Sequence, residues 1–122
     1  MARTKITEDS ATAFRNQRRF KRSNTVVRNE YDWTTTMYLF GNLIARYRPR
    51  EKHLWIDACW WNTTTTKERL NWILEKFNAW KIYQTNYVWY YADKYGAVSE
   101  MPIQHWMLID LNNYDGFRYL QL

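Results

Sequence analysis

The stretch Asn62-Thr63-Thr64-Thr65-Thr66-Lys67-Glu68-Arg69-Leu70-Asn71-Trp72-Ile73-Leu74-Glu75-Lys76-Phe77 decides the fold class. A polar threonine run feeds a segment in which Leu70, Ile73, Leu74 and Phe77 recur at i, i+3, i+4 and i+7, the apolar stripe of a helix laid on a core. Thr65-Thr66-Lys67-Glu68 fits the capping box S/T-x-x-E. In that box Thr65 Oγ1 accepts from the Glu68 amide while the Glu68 carboxylate reaches back to the Thr65 amide. The spacing predicts one amphipathic helix at about 66–78, ended by Asn78-Ala79-Trp80.

Outward from this helix the preference changes to strand. His53 to Trp61 alternates, with Leu54, Ile56, Ala58 and Trp60 on one face and His53, Trp55, Asp57, Cys59 and Trp61 on the other. Before it, Thr25-Val26-Val27, Trp33–Phe40 and Leu43–Tyr47 are β-branched or aromatic, separated by Gly41-Asn42, a turn dipeptide that tolerates positive φ. Arg48-Pro49-Arg50-Glu51 is a further turn. After the helix, Lys81–Thr85 and Tyr87–Ala92 read as strands around Asn86, and His105–Leu111 as a last strand before the turn at Asn112–Gly116. Near the N-terminus, Thr7 can cap a helix at about 7–20, with Glu8 and Asp9 at its positive end and Ala11 and Phe14 as its apolar stripe. The sum is an α+β fold, a small antiparallel sheet of about five to six strands packed by the helix at 66–78, with a basic N-terminal helix beside it. We expect residues 1–122 to be a single domain, with 1–22 as a basic helical segment and 97–122 as a C-terminal extension without a clear pattern.

Composition narrows the function classes. Cys59 is the single cysteine, which excludes an internal disulfide framework and a multi-cysteine zinc site and suits a reducing compartment. No apolar run approaches the roughly 20 residues of a membrane span, and Met1–Lys5 lacks the features of a signal peptide, so we expect a soluble, cytoplasmic protein with no membrane contact. Aromatic residues make up 19% of the chain, more than one small core can enclose, so some of Trp33, Trp55, Trp61, Trp89 and Tyr90 should lie half exposed. Net charge is +6, and its distribution is lopsided. Residues 1–28 hold eight Lys or Arg against Glu8 and Asp9, while residues 29–122 balance.

Between Ala11 and Asn71 several segments resemble a family of small proteins from bacteriophage and mobile-element genomes. They are Ala11-Thr12-Ala13-Phe14, Asn24-Thr25-Val26-Val27 (N-T-x-V), Gly41-Asn42-Leu43-Ile44-Ala45 (L-H-G-N-x-I-A, with Phe40 in place of the His) and Trp61-Asn62-Thr63-Thr64-Thr65-Thr66-Lys67-Glu68-Arg69-Leu70-Asn71 (G-W-x-T-x-T-T-x-x-R-L-N, with Trp60 in place of the Gly). The resemblance implies a phage setting and one small fold; it implies no reaction.

Catalytic and metal chemistry find little footing. His53, Asp57, Cys59 and His105 could donate to a metal, but no pair has the tight spacing of zinc motifs. Nothing marks Cys59 as an activated nucleophile, three glycines cannot build a phosphate loop, and Asp110 and Asp115 show no sign of a shared cleft. We therefore assign no catalytic residue, no metal and no cofactor. The Thr63–Thr66 run could lend helix amides to a phosphate near Lys67 and Arg69, although self-capping is the commoner use of such hydroxyls.

The basic segment is the strongest candidate. If the helix ran on, Arg15, Arg18, Arg19 and Arg22 would gather on one of its faces, and Lys21 and Arg28 extend the cluster. With Trp33, Trp61, Lys67 and Arg69 these residues form the expected contact surface. The expected partner is nucleic acid, held by counterion release and ring stacking. The alternatives are an acidic surface of a host protein complex, as an anti-defence inhibitor would use, sequestration of a nucleotide signal, or a structural place in the virion. A homodimer is left open.

Overall fold

The computed structural model describes residues 5–30, 32–57, 63–78, 81–85, 88–92, 106–111 and 118–121. Among them are two helices, α1 (Lys5–Arg15) and α2 (Thr64–Lys76), and nine strands: β1 (Phe20–Arg22), β2 (Thr25–Asn29), β3 (Thr35–Leu39), β4 (Asn42–Arg48), β5 (His53–Ile56), β6 (Lys81–Thr85), β7 (Val88–Ala92), β8 (Met107–Asp110) and β9 (Arg118–Gln121). Seven strands form one antiparallel sheet in the order β1-β2-β3-β4-β5-β8-β9, and β6-β7 form a separate antiparallel pair. The α+β class expected from the sequence holds. The main sheet is wider than five or six strands because β1 and β8–β9 join its edges.

Strand alternation sorts the sheet into two faces. Across one run the cross-strand rows Val27–Met37–Ala45–Ile56–Met107 and Thr35–Tyr47–Leu54–Ile109, all buried. A register shift between Met37 and Tyr38 inserts Ile44 as an extra residue, and Ile44 is buried as well. Both helices lie on this face, α1 over β1 to β3 and α2 against β4, touching each other. Ala11 and Phe14 of α1 and Leu70, Ile73, Leu74 and Phe77 of α2 enter the core as their spacing requires. Phe14, Tyr47 and Phe77 form its ring cluster, with centroids 6.4, 6.0 and 4.5 Å apart. Packing of this kind, rather than helix propensity, fixes short helices such as α1.

The N-terminal helix is shorter than the expected 7–20. Gln17 takes φ 56°, its amide donates to Phe14 O (3.3 Å) and the Arg18 amide donates to Ala13 O (2.8 Å). This is the Schellman pattern that stops a helix. The chain then reverses into β1, and a two-residue turn at Ser23-Asn24 leads to β2. The turn into β4 is likewise displaced by one residue. Leu39 pairs with Asn42, so Phe40 (φ 51°) and Gly41 (φ 81°) are its central residues. Positive φ at both positions matches the right-handed twist of the flanking strands.

The cap of α2 also differs from the sequence reading. Thr63, not Thr65, is the N-cap: its Oγ1 accepts from the Thr66 amide at 3.1 Å and lies 2.9 Å from the Thr66 hydroxyl. The helix starts earlier because Thr66, which is buried, belongs to the inward stripe and its hydroxyl finds Thr63. Asn78, at φ 62°, ends the helix as expected. The same inward stripe carries Arg69, which is only 4% exposed. Its Nε donates to Thr25 Oγ1 at 3.2 Å, one terminal nitrogen to Thr7 Oγ1 and the other to Asn24 Oδ1 at 3.5 Å. Burial lowers its pKa below the ordinary guanidinium value, with neighbouring Glu68 opposing the shift. One buried side chain thus ties α2 to α1, to β2 and to the β1–β2 turn.

Asn71 of α2 clips the β6–β7 pair. Its Nδ2 donates to Ile82 O (3.2 Å) and its Oδ1 accepts from Ile82 N (2.7 Å). Trp89 of that pair is buried at 1% exposure, against the expectation of a half-exposed ring, because its strand turns that face toward the core. Tyr90 is half-buried and stacks on Tyr83 at 5.7 Å.

Two stability outcomes follow from these contacts. Thr63→Ala should lower unfolding free energy by about 1 kcal/mol, and Thr65→Ala by less than about 0.5 kcal/mol, in urea titrations. Arg69→Ala should cost about 2–4 kcal/mol, and Arg69→Lys should recover little of it, because an ammonium cannot match three donors fixed in a plane.

Candidate functional site

The other face of the sheet carries no helix among the described residues. Its rows follow from the same register: Arg28–Thr36–Arg46–Trp55–Leu108, then Arg48–His53–Asp110, with Val26 opposite Tyr38 and Lys21 opposite Val26. Cations and rings share it. The Arg28 guanidinium lies 5.7 Å from the Tyr38 ring centre, and that of Arg46 lies 6.0 Å from Trp55 and 5.2 Å from Trp106. Arg46 Nε is buried without a hydrogen-bond partner among the described residues, so ring faces carry much of its local stabilisation.

The β1–β2 edge of the sheet carries a groove of about 440 Å³. Arg19, Lys21 and Arg28 line it with Phe20, Val26, Val27 and Asn29, and no carboxylate lines it among the described residues. Next to it, and sharing Asn29, is a depression of about 340 Å³ lined also by Gln17, Glu30 and Trp33. Trp33 is 62% exposed, and the Arg50 guanidinium sits 5.5 Å from its ring centre. Nearby, Asp32 accepts from the Thr34 amide at 3.2 Å and lies 3.8 Å from Arg48. Thr34, through hydroxyl and amide, and then Arg48 hold the Asp32 carboxyl below its ordinary pKa, so it stays anionic and offsets part of the Arg48 charge.

The expected surface residues are divided by the fold. Arg19, Lys21 and Arg28 converge on the groove, and Trp33 stands beside it. Arg18 is exposed in the turn after α1. Arg15 leaves the cluster: at the end of α1 its guanidinium lies 4.9 Å from the Phe77 ring centre and 5.9 Å from that of Tyr47, on the helix side of the sheet. Arg22 alternates away from Lys21 and pairs with Asp9 of α1 at 3.2 Å. The four-arginine helical face does not form, because α1 ends at Arg15. Lys67 is half-buried on α2 in the helix layer, and Arg69 is withdrawn into the core. Two of the amides near the start of α2 are taken up within the chain, Thr66 N by Thr63 Oγ1 and Lys67 N by Thr63 O (3.1 Å).

Trp61, Cys59, His105 and Asp115 lie outside the described residues. No group of three or more His, Cys, Asp or Glu gathers among the described residues, and no described helix is long and apolar enough to cross a membrane. Sequence reasoning missed Arg46, Arg50 and Trp106. Arg46 was visible as the polar alternate between Ala45 and Tyr47, but its ring partners come from β5 and from the residue before β8, far away along the chain.

Removing the guanidinium between the two indoles should be spectroscopically visible. Arg46→Ala should change the near-ultraviolet circular dichroism of Trp55 and Trp106 and lower stability by about 1 kcal/mol. An unchanged spectrum would mean that the stack does not persist in solution.

Against known proteins, residues 3–111 match the family model described as Kyanoviridae Gp96 protein. The match runs well past Asn71, where the segments of sequence resemblance end. No curated protein and no solved structure matches.

Proposed function

Since the chain belongs to the phage family of Kyanoviridae Gp96 proteins, we propose that it is a phage accessory protein that binds nucleic acid stoichiometrically in the host cytoplasm. The observation that carries this reading is the groove in which Arg19, Lys21 and Arg28 meet with no carboxylate among the described lining residues. The three belong to the first 28 residues, which hold the whole charge imbalance. Clustered cations displace the counterions condensed on a phosphate backbone, and that release drives binding without a sequence requirement. Arg28 lies 4.0 Å from Glu30, too far for a tight pair, and its side chain is 59% exposed. Such binding needs no nucleophile, base or cofactor.

A second reading, docking on an acidic surface of a host protein complex, is favoured by one observation. Phe40, at the tip of the β3–β4 turn, is 69% exposed, and a large ring in water is typical of protein contact sites. A pull-down from nuclease-treated lysate separates the readings, since a partner that persists without nucleic acid favours this second one.

Fluorescence anisotropy with a labelled mixed-sequence single strand tests the first reading. Log affinity should fall linearly with log salt. Combined Arg19→Gln, Lys21→Gln and Arg28→Gln substitution should reduce that slope by about 2, at roughly 0.7 for each phosphate no longer neutralised. Absence of any complex at micromolar protein and low salt would refute it.

A further inference from the structure

We infer that the depression at Trp33 receives one unpaired base, which would make this protein a reader of single strands rather than duplex. The inference rests on the nucleic-acid reading above and narrows it. The groove and the depression share Asn29 and so adjoin each other. A strand whose phosphates follow Arg19, Lys21 and Arg28 would pass beside Trp33.

The depression is built to present a ring. Trp33 has φ 67°, a left-handed conformation costly for a bulky side chain, where Gly or Asn would sit at ease. The backbone is nevertheless fixed there: the Trp33 amide donates to Glu30 O (3.3 Å), the Glu30 amide donates to Thr34 O (2.7 Å), and Gln17 Nε2 donates to Trp33 O (3.5 Å). Asn29 braces the wall, its Nδ2 donating to Gln17 O (2.9 Å) and its Oδ1 accepting from Thr35 Oγ1 (3.2 Å). These contacts hold in place an indole that is 62% exposed, and core packing gives no reason for a Trp at this position. Arg50 lies 5.5 Å from the indole centre and does not line the depression, so it leaves a cation beside the ring for the charge of a bound strand. Glu30 Oε1 accepts from Thr36 Oγ1 at 3.2 Å, and Glu30 and Gln17 both line the depression, polar groups of the kind that can meet a base edge. A volume of about 340 Å³ is at the lower end of ligand-sized pockets, suited to a single base. Paired bases in a duplex keep their faces stacked on one another, so a duplex could satisfy the cations but not Trp33.

Anisotropy titrations with one labelled 12-mer, single-stranded and annealed to its complement, test this at constant salt. The single strand should bind about 10-fold more tightly than the duplex. Trp33→Ala should weaken single-strand binding by roughly 5- to 100-fold with the salt slope unchanged, and Trp33→Phe should keep most of the affinity. Trp33→Asn, suited to the positive φ, should lose binding while its melting temperature stays level or rises, which a purely structural role for the indole would not produce. Salt-dependent binding that is insensitive to Trp33→Ala, or equal affinity for duplex, would overturn this inference and leave the groove reading intact. No binding by the native protein at low salt would overturn both.

Discussion

Arg69 holds three pieces of the molecule in register from inside the core. Burying a guanidinium is costly, and hydrogen bonds to Thr7, Thr25 and Asn24 offset that cost only if α1, β2 and the β1–β2 turn occupy the right places. Misplacement of any one of them would leave a charge unsatisfied in an apolar setting. The contact therefore selects one arrangement of the two helices over the sheet, and it acts together with the Phe14–Tyr47–Phe77 ring cluster that fills the space beneath them.

Confining both helices to one face has a direct consequence for the other. Seven antiparallel strands present a second surface that no described helix covers, and alternation places on it the residues that could not enter the core: Lys21, Arg28, Arg46, Arg48, Tyr38 and Trp55. Cation–ring contacts shield the apolar faces of these rings while leaving positive charge outward. The short edge strand β1, with exposed Lys21 and Arg22, also discourages pairing with a further strand.

Much of the fold was legible in the order of residues. The stripes Leu70–Ile73–Leu74–Phe77 and Ala11–Phe14 went inward, and His53 to Ile56 alternates as read. The end of α1 was not legible. Arg18, Arg19 and Arg22 continue a helical spacing, and only the left-handed Gln17 and the pairing of Phe20 with Val27 break it. The threonine run was ambiguous in a similar way, because Thr63 and Thr65 are chemically equivalent caps and the inward placement of Thr66 chose between them. Arg69 could have been read correctly, since it lies three residues after Thr66 and four before Ile73, on the buried stripe.

By itself the sequence determined the α+β class, the amphipathic faces of both helices and the concentration of positive charge before residue 29, because periodicity and composition are local properties. Tertiary structure alone decided which cations of the chain lie together. Arg22 goes to Asp9, Arg15 goes to the Phe77 and Tyr47 rings, Arg69 goes to the core, and Arg19, Lys21 and Arg28 remain on a shared groove next to Trp33. The reason is that a strand sends neighbouring side chains to opposite faces, and which face meets solvent depends on where distant helices pack.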